Sequence, residues 1–338
     1  MKTRAPSGSA RPGFIPASMK SCVAGLLLAA FLGTPLAVKA QQADAAFETC
    51  IAQMRVQADL ARRAVSCGEV ISRPGENPRK VAFAYAMRGW TQAAIPEAIA
   101  DFSAALAIIP DLDPALAGRA GFYLNSGKSD LALVDYTNIL GRHPDDVELL
   151  IGRGDALNNL KRYDEGIRDF DRALALQPDN EEALNDRAWA LARQRRFAEA
   201  IAGYDRALAV AKRMKGMILA NRCEAKSASG DLSGALADCG EAIATDAKIS
   251  WYWSSRGLVH LKAAGSAAGG SEAGGSEAAL ADFDRALTLD PKASAAYFGR
   301  GILRLRSGDK LAGEEDLKKA EAIYPAIREE MAAQGIRP

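Results

Sequence analysis

The chain has 338 residues, 49% of them hydrophobic and 25% charged, with 43 lysines and arginines against 42 aspartates and glutamates. This is ordinary globular composition with ample apolar material for a core. Balanced charge excludes the long-range attraction that nucleic acid or an anionic lipid surface exerts on a strongly basic chain.

The first forty residues read as an export signal. Lys2, Arg4, Arg11 and Lys20 precede the apolar run "CVAGLLLAAFLGTPLAV", and no acid accompanies them. Val38 and Ala40 then stand at the −3 and −1 positions of a cleavage site before Gln41. An uncleaved membrane anchor is the competing reading, but Gly33, Pro35 and the small-x-small exit favour cleavage. Met19-Lys20 would make a more usual start for such a segment than Met1. Cys22 precedes the apolar run, so it is not placed as a lipidated cysteine. Loss of residues 1–40 leaves 38 basic against 42 acidic residues. The mature chain is therefore expected to be periplasmic or secreted, with no membrane insertion after cleavage.

Residues 41–79 read as an N-terminal helical hairpin or cap, carried by "DAAFETCIAQMRVQADLARRAVSCGEVIS". A periodic region follows over 80–325. An arginine followed by a small residue occurs at Arg88-Gly89, Arg119-Ala120, Arg153-Gly154, Arg187-Ala188, Arg222-Cys223, Arg256-Gly257 and Arg300-Gly301. The steps between them are 31, 34, 34, 35, 34 and 44 residues, a period that signals a stack of repeated units. Each unit continues with a small residue (Ala98, Ala132, Gly166, Ala200, Ala235, Ala279, Gly313). Four residues later comes a large one (Phe102, Tyr136, Phe170, Tyr204, Phe283, Leu317), replaced in the fifth unit by Cys239. Spacings of four and three hold these residues on one helix face. Pro110, Pro144, Pro178, Pro291 and Pro325 end that helix; Lys212 and Ala247 replace the proline in two units. In the first unit three residues are missing between Arg88 and Phe102, which predicts shorter helices. In the sixth, ten are added around a Gly/Ser-rich insertion at 264–277 that is flexible by composition. It is either a mobile loop touching a partner or a slippage expansion tolerated at a surface turn. Residues 326–338 read as a C-terminal capping helix stopped at Gly335.

In these residues the chain resembles the tetratricopeptide repeat family over roughly 80–325. The resemblance implies an all-α fold: a right-handed superhelical solenoid of helical hairpins, about seven repeats plus capping helices, with a concave groove. Lys226, His260 and Arg304 depart from the family, standing where a large apolar residue is usual, so less regular packing is expected in the C-terminal half. So does the arginine of each unit, where leucine is common. An aspartate before the aromatic, in its own or a neighbouring unit, is expected to answer it: Asp101, Asp135, Asp169, Asp238, Asp282 and Asp316 for Arg88, Arg119, Arg153, Arg222, Arg256 and Arg300. The fourth unit has Gly203 instead. An arginine in a packed seam needs an acceptor; the alternative is a ladder of arginines that binds anions.

Cys50, Cys67, Cys223 and Cys239 remain after signal cleavage. A solenoid separates Cys50 from Cys223 by about five units, beyond the ~6 Å that a disulfide spans. That leaves Cys50–Cys67 and Cys223–Cys239 as bridges, with buried free thiols as the alternative. In the fifth unit the facing small and aromatic positions have both become cysteine.

No zinc spacing, phosphate loop, nucleophile elbow or dinucleotide fingerprint is present, and His143 and His260 fall at turn and packing positions. No enzyme activity and no cofactor or metal are expected. By the family's pattern, Glu148, Asp155, Asn158, Asn159, Glu182, Asn185, Asp186, Trp189, Arg193, Asn221, Glu224 and Trp251 line the groove, with Trp90 at a matching position; the tryptophans either face a ligand or pack between helices. The family's lysine for clamping terminal carboxylates is missing, and the acidic, amide-rich middle predicts a basic or amide-rich protein or peptide as partner. The implied function is a non-catalytic binding scaffold in the cell envelope. The alternatives are a structural adaptor or assembly factor that self-associates or bridges envelope complexes, and an accessory subunit of an envelope enzyme.

Overall fold

The computed structural model describes residues 45–52, 57–265 and 272–337. The signal segment and residues 266–271 of the insertion lie outside the described residues. Among the described residues every regular element is a helix. Helix α1 spans 45–51. Then come α2 (Gln57–Ser72), α3 (Pro78–Gly89), α4 (Ile95–Ile108), α5 (Asp113–Asn125), α6 (Ser129–Leu140), α7 (Val147–Asn159) and α8 (Tyr163–Leu176). These belong to a first compact unit that ends at Leu176. The second unit starts at Gln177. It holds α9 (Glu181–Arg193), α10 (Phe197–Val210), α11 (Lys215–Ser229), α12 (Leu232–Thr245), α13 (Ser250–Ala264), α14 (Glu272–Leu289), α15 (Ser294–Arg306), α16 (Lys310–Ile323) and α17 (Ile327–Ala333). Within each unit consecutive helices pair as hairpins, from α3·α4 to α15·α16.

Close approach of small residues explains the pairing. The Phe102 ring fills the space that side chains would take on two neighbouring helices: a Cβ on Gly89 would lie 2.8 Å from it and one on Gly118 2.4 Å. Phe283 does the same between Gly257 and Gly299, at 2.6 and 2.2 Å. One aromatic thus locks its own hairpin and the first helix of the next. In the fifth hairpin the Cys223–Cys239 disulfide joins α11 to α12 in its place, packed against Val259. The Cys50–Cys67 disulfide ties α1 to α2. Each closes a short loop and contributes about 3 kcal/mol on a chain-entropy estimate.

The turns inside the hairpins obey a rule of their own. Eight residues after the unit arginine, the backbone turns left-handed at Gly127, Lys161, Arg195, Gly230 and Gly308. The two exceptions are the units of altered length. In the first, α3 ends directly after Arg88, while α4 keeps 14 residues, so only the first helix gives up its last turn. In the sixth, α13 runs on to Ala264 and α14 begins at Glu272, reaching 18 residues. Part of the insertion is therefore helix rather than loop: Gly275 comes close enough to α13 that a Cβ there would lie 3.1 Å from that of Ala264. Where proline is absent after α10, Glu181 accepts hydrogen bonds from the backbone N–H of Lys212 (2.7 Å) and Arg213 (3.2 Å). Burial raises the pKa of Glu181, but these backbone donors outweigh it and hold the carboxyl below its ordinary value.

Arginine and aspartate meet inside each hairpin that carries both. Arg153 donates from Nε and Nη2 to the two oxygens of Asp169 at 2.7 Å each. The same fork joins Arg88 to Asp101, Arg119 to Asp135, Arg222 to Asp238, Arg256 to Asp282 and Arg300 to Asp316. The aspartate hydrogen bonds raise the pKa of these arginines against the opposing effect of burial. Two of the residues that break the family's apolar position join this device. Lys226 Nζ lies 2.9 Å from Asp238 and Arg304 Nη1 2.8 Å from Asp316. His260 Nε2 stands 3.9 Å from Asp282; burial, chiefly, lowers its pKa. Irregular packing is thus not what these substitutions produce; they put a second donor or ring beside a buried aspartate one helical turn from the first.

Two measurements probe these features. Asp169→Ala strands a largely buried guanidinium and is expected to cost about 2–3 kcal/mol in urea unfolding; a change under about 0.5 kcal/mol, the size typical of an exposed pair, would show that the fork adds little. Lys161→Gly removes a left-handed non-glycine and is expected to stabilise by about 1 kcal/mol. No gain would mean that this turn is unstrained.

Candidate functional site

In the second unit the first helices of successive hairpins, α9, α11, α13 and α15, adjoin one another directly. The second helices α10, α12, α14 and α16 stand behind them and do not pack closely on each other. The stack therefore curves with the first helices inside, and its inner face is where side chains from several hairpins converge.

Glu224 on α11 is the centre of this face. Its Oε1 accepts hydrogen bonds from Trp251 Nε1 at 2.9 Å and Ser255 Oγ at 2.8 Å, both on α13. Glu224 keeps accessible surface, yet protein crowds its carboxylate. This desolvation raises its pKa, with the negative charge of Glu330 adding to it; the Ser255 and Trp251 hydrogen bonds and Arg193 oppose the rise. On α9, the Arg193 guanidinium lies 5.6 Å from the Trp189 ring centre and 3.6 Å from the Glu330 carboxylate of α17. Glu330 is held in turn by the Tyr324 hydroxyl, which donates to its Oε2 at 2.8 Å. Lys262 on α13 donates to Ser227 Oγ at 3.2 Å; burial lowers its pKa.

Other groove residues of this unit turn inward. Asn221 Nδ2 donates to Asn185 Oδ1 and Asn185 Nδ2 to Asp186 Oδ1, each at 2.9 Å, and all three are buried. Glu182 is half-buried on α9. In the first unit Glu148 and Asp155 are half-buried and Asn159 exposed. Asn158 is buried against Gly166 of the facing helix, where a Cβ would meet its Oδ1 at 2.8 Å. Trp90 packs edge-on against Phe102 and Phe122, 5.6 and 6.2 Å between ring centres, so its ring serves the core. The arrangement around Glu224 brings together Trp189, Arg193, Glu224 and Trp251. It adds Ser255, Lys262 and Glu330, which the repeat pattern did not single out. Ser255 directly precedes its unit arginine, as Asn221 does, so its place could have been read; Glu330 lies past the periodic region and could not.

The tetratricopeptide repeat model matches residues 123–181, 160–213 and 271–326. Over these residues the chain consists of tetratricopeptide repeats. No curated protein matches the sequence, but solved structures share the fold. A tetratricopeptide repeat protein from Parabacteroides merdae superposes with a TM-score of 0.62 at 18% identity, covering 77% of this chain and 99% of that one. Yeast Tom70 gives 0.56 at 16% identity over 86% of this chain and 62% of its own. Human IFIT1, solved as a dimer with PPP-AAAA, gives 0.55 at 14% over 83% and 71%. Tetratricopeptide repeats serve in general as non-catalytic, protein-binding scaffolds. No helix among the described residues is long and apolar enough to cross a membrane.

The raised pKa of Glu224 has a definite sign in stability. The folded state holds that proton more tightly than the unfolded chain. The resulting stabilisation is complete below the ordinary carboxylate pKa and is lost as pH rises through the raised folded value. Glu224→Gln is therefore expected to gain melting temperature relative to the parent as pH rises from about 4 to about 8; a difference independent of pH would contradict this.

Proposed function

We propose that the mature chain is an exported scaffold of the cell envelope that binds a protein or peptide through the inner, first-helix face of its repeats, and that it has no chemistry of its own. The observation that carries this reading is the pairing of Trp189 with Arg193 and of Glu224 with Trp251 and Ser255 on three neighbouring first helices, with the Arg193 charge acting on Glu224. Large flat rings beside oriented polar groups are the usual source of affinity and specificity at binding surfaces. Acidic groups on this face favour a partner segment rich in lysine, arginine or amides. Export is supported by the N-terminal segment and by two disulfides, which are consistent with an oxidising compartment. Adaptor behaviour through an outer face is the second reading, and Leu131 and Val134 favour it: they lie a turn apart on α6 with 42% and 65% of their surface exposed.

Two experiments test the proposal. In exported protein the N-terminus is expected at Gln41, with all four remaining cysteines resistant to alkylation; an intact leader with alkylated thiols overturns the envelope assignment. Affinity-tagged protein purified from envelope extract is expected to lose its co-purifying partner on joint Trp189→Ala and Trp251→Ala substitution, with helicity unchanged. Retention of the partner, together with its loss on Leu131→Ser and Val134→Ser substitution, would favour the adaptor.

A further inference from the structure

The inner face of the second unit already holds a guanidinium. Arg193 lies near both an indole and a carboxylate, 5.6 Å from the Trp189 ring centre and 3.6 Å from Glu330. Its ion pair is looser than the forked pairs inside the hairpins, where nitrogen and oxygen are 2.6–2.9 Å apart. Glu330 does not depend on Arg193 for its position. Tyr324 donates to it, and α17 is anchored by Ile327 and Met331, both buried in the core cluster that runs from Leu261 to Ile336. Glu224 supplies a second carboxylate to the same face, fixed by Trp251 and Ser255. Indole and carboxylate on a pre-set frame are what a partner's arginine requires, because the ring takes the face of the guanidinium and the carboxylate its edge.

We propose that Arg193 is a built-in competitor: it fills, from within the chain, the seat formed by Trp189 and Glu330 that an arginine of the partner takes on binding. This rests on the reading of the inner face as the binding surface, and it assigns the closing helix a part in recognition besides covering the end of the stack. On binding, the incoming guanidinium displaces that of Arg193, which swings toward Glu224 or solvent. The face then discriminates among basic segments, since a guanidinium matches the flat ring and the carboxylate edge better than an ammonium does. The internal competitor lowers affinity for scattered single arginines, so that only a segment with further contacts along the face binds well.

The test is fluorescence anisotropy with a fluorescein-labelled peptide of alternating glycine and arginine, using the full mature chain. Arg193→Met keeps the apolar stem and vacates the seat, and is expected to tighten binding about tenfold, the scale of one cation–π contact combined with one exposed ion pair. Arg213→Met removes an exposed positive charge elsewhere in the same unit and is expected to change affinity less than twofold. Glu330→Gln keeps a side chain of the same shape but removes the seat's charge, and is expected to weaken binding. Equal tightening by the two arginine variants reduces the effect to net charge and overturns the proposal. So does an Arg193→Met chain that binds the peptide no better than the parent, or a Glu330→Gln chain that binds equally well. Failure here, with partner capture still lost in the double tryptophan variant, would remove the competitor and leave the inner-face reading standing.

Discussion

A ring can enter the space between two antiparallel helices only where the residues facing it carry almost no side chain. That constraint organises this protein. Phe102 between Gly89 and Gly118, and Phe283 between Gly257 and Gly299, each fix a hairpin and the first helix of the next hairpin in a single contact. The spacing of glycine, alanine and aromatic in the chain is therefore a record of helix contacts. When the fifth unit loses its ring, the two positions that would have held ring and small neighbour become a covalent link, Cys223–Cys239. The bridge replaces dispersion contacts with a constraint on the unfolded chain.

The arginine–aspartate forks are a second layer laid over the first. A buried carboxylate is tolerable when its acceptors are filled, and each aspartate here receives two parallel N–H bonds from one guanidinium. The fork also fixes the relative rotation of the two helices, since both its bonds must be in line at once. Three of the arginines stretch further, from Nη1 to Ser103, Asp205 and Asp284 of the preceding hairpin. Polar pairing thus links successive hairpins as well as the two helices of each.

Much of this was legible from spacing alone, because period and residue size determine which helix faces meet. Helix ends were legible where proline or glycine marks them. They were hidden at Lys161 and Arg195, which adopt the left-handed turn that glycine takes in other units. The partners of Lys226 and Arg304 were hidden for a different reason: a cation at an apolar position reads as a defect until the neighbouring aspartate is seen in three dimensions. The insertion misled through composition, since glycine and serine suggest a loop, while packing of Gly275 on Ala264 sustains extra helix. Of the inner face, sequence supplied the tryptophans and Glu224. It could not supply Glu330, which arrives from outside the period and meets a side chain 137 residues earlier, nor show that Asn185, Asp186 and Asn221 satisfy one another.

On the proposed reading, stability and recognition fall to different residues. Rings, glycines and forks are spent inside and between hairpins, which leaves the first helices free to present a fixed set of polar and aromatic groups, already oriented by their own hydrogen bonds. On the proposed reading, binding moves little beyond the Arg193 side chain, and charge and the shape of two indoles set the specificity. Hydrogen–deuterium exchange on the mature chain with and without its co-purified partner examines this most directly. Slowed exchange confined to α9, α11 and α13, and extending to α17, is the predicted result. Protection of the outer helices α10, α12 and α14, with the inner ones unchanged, would contradict it.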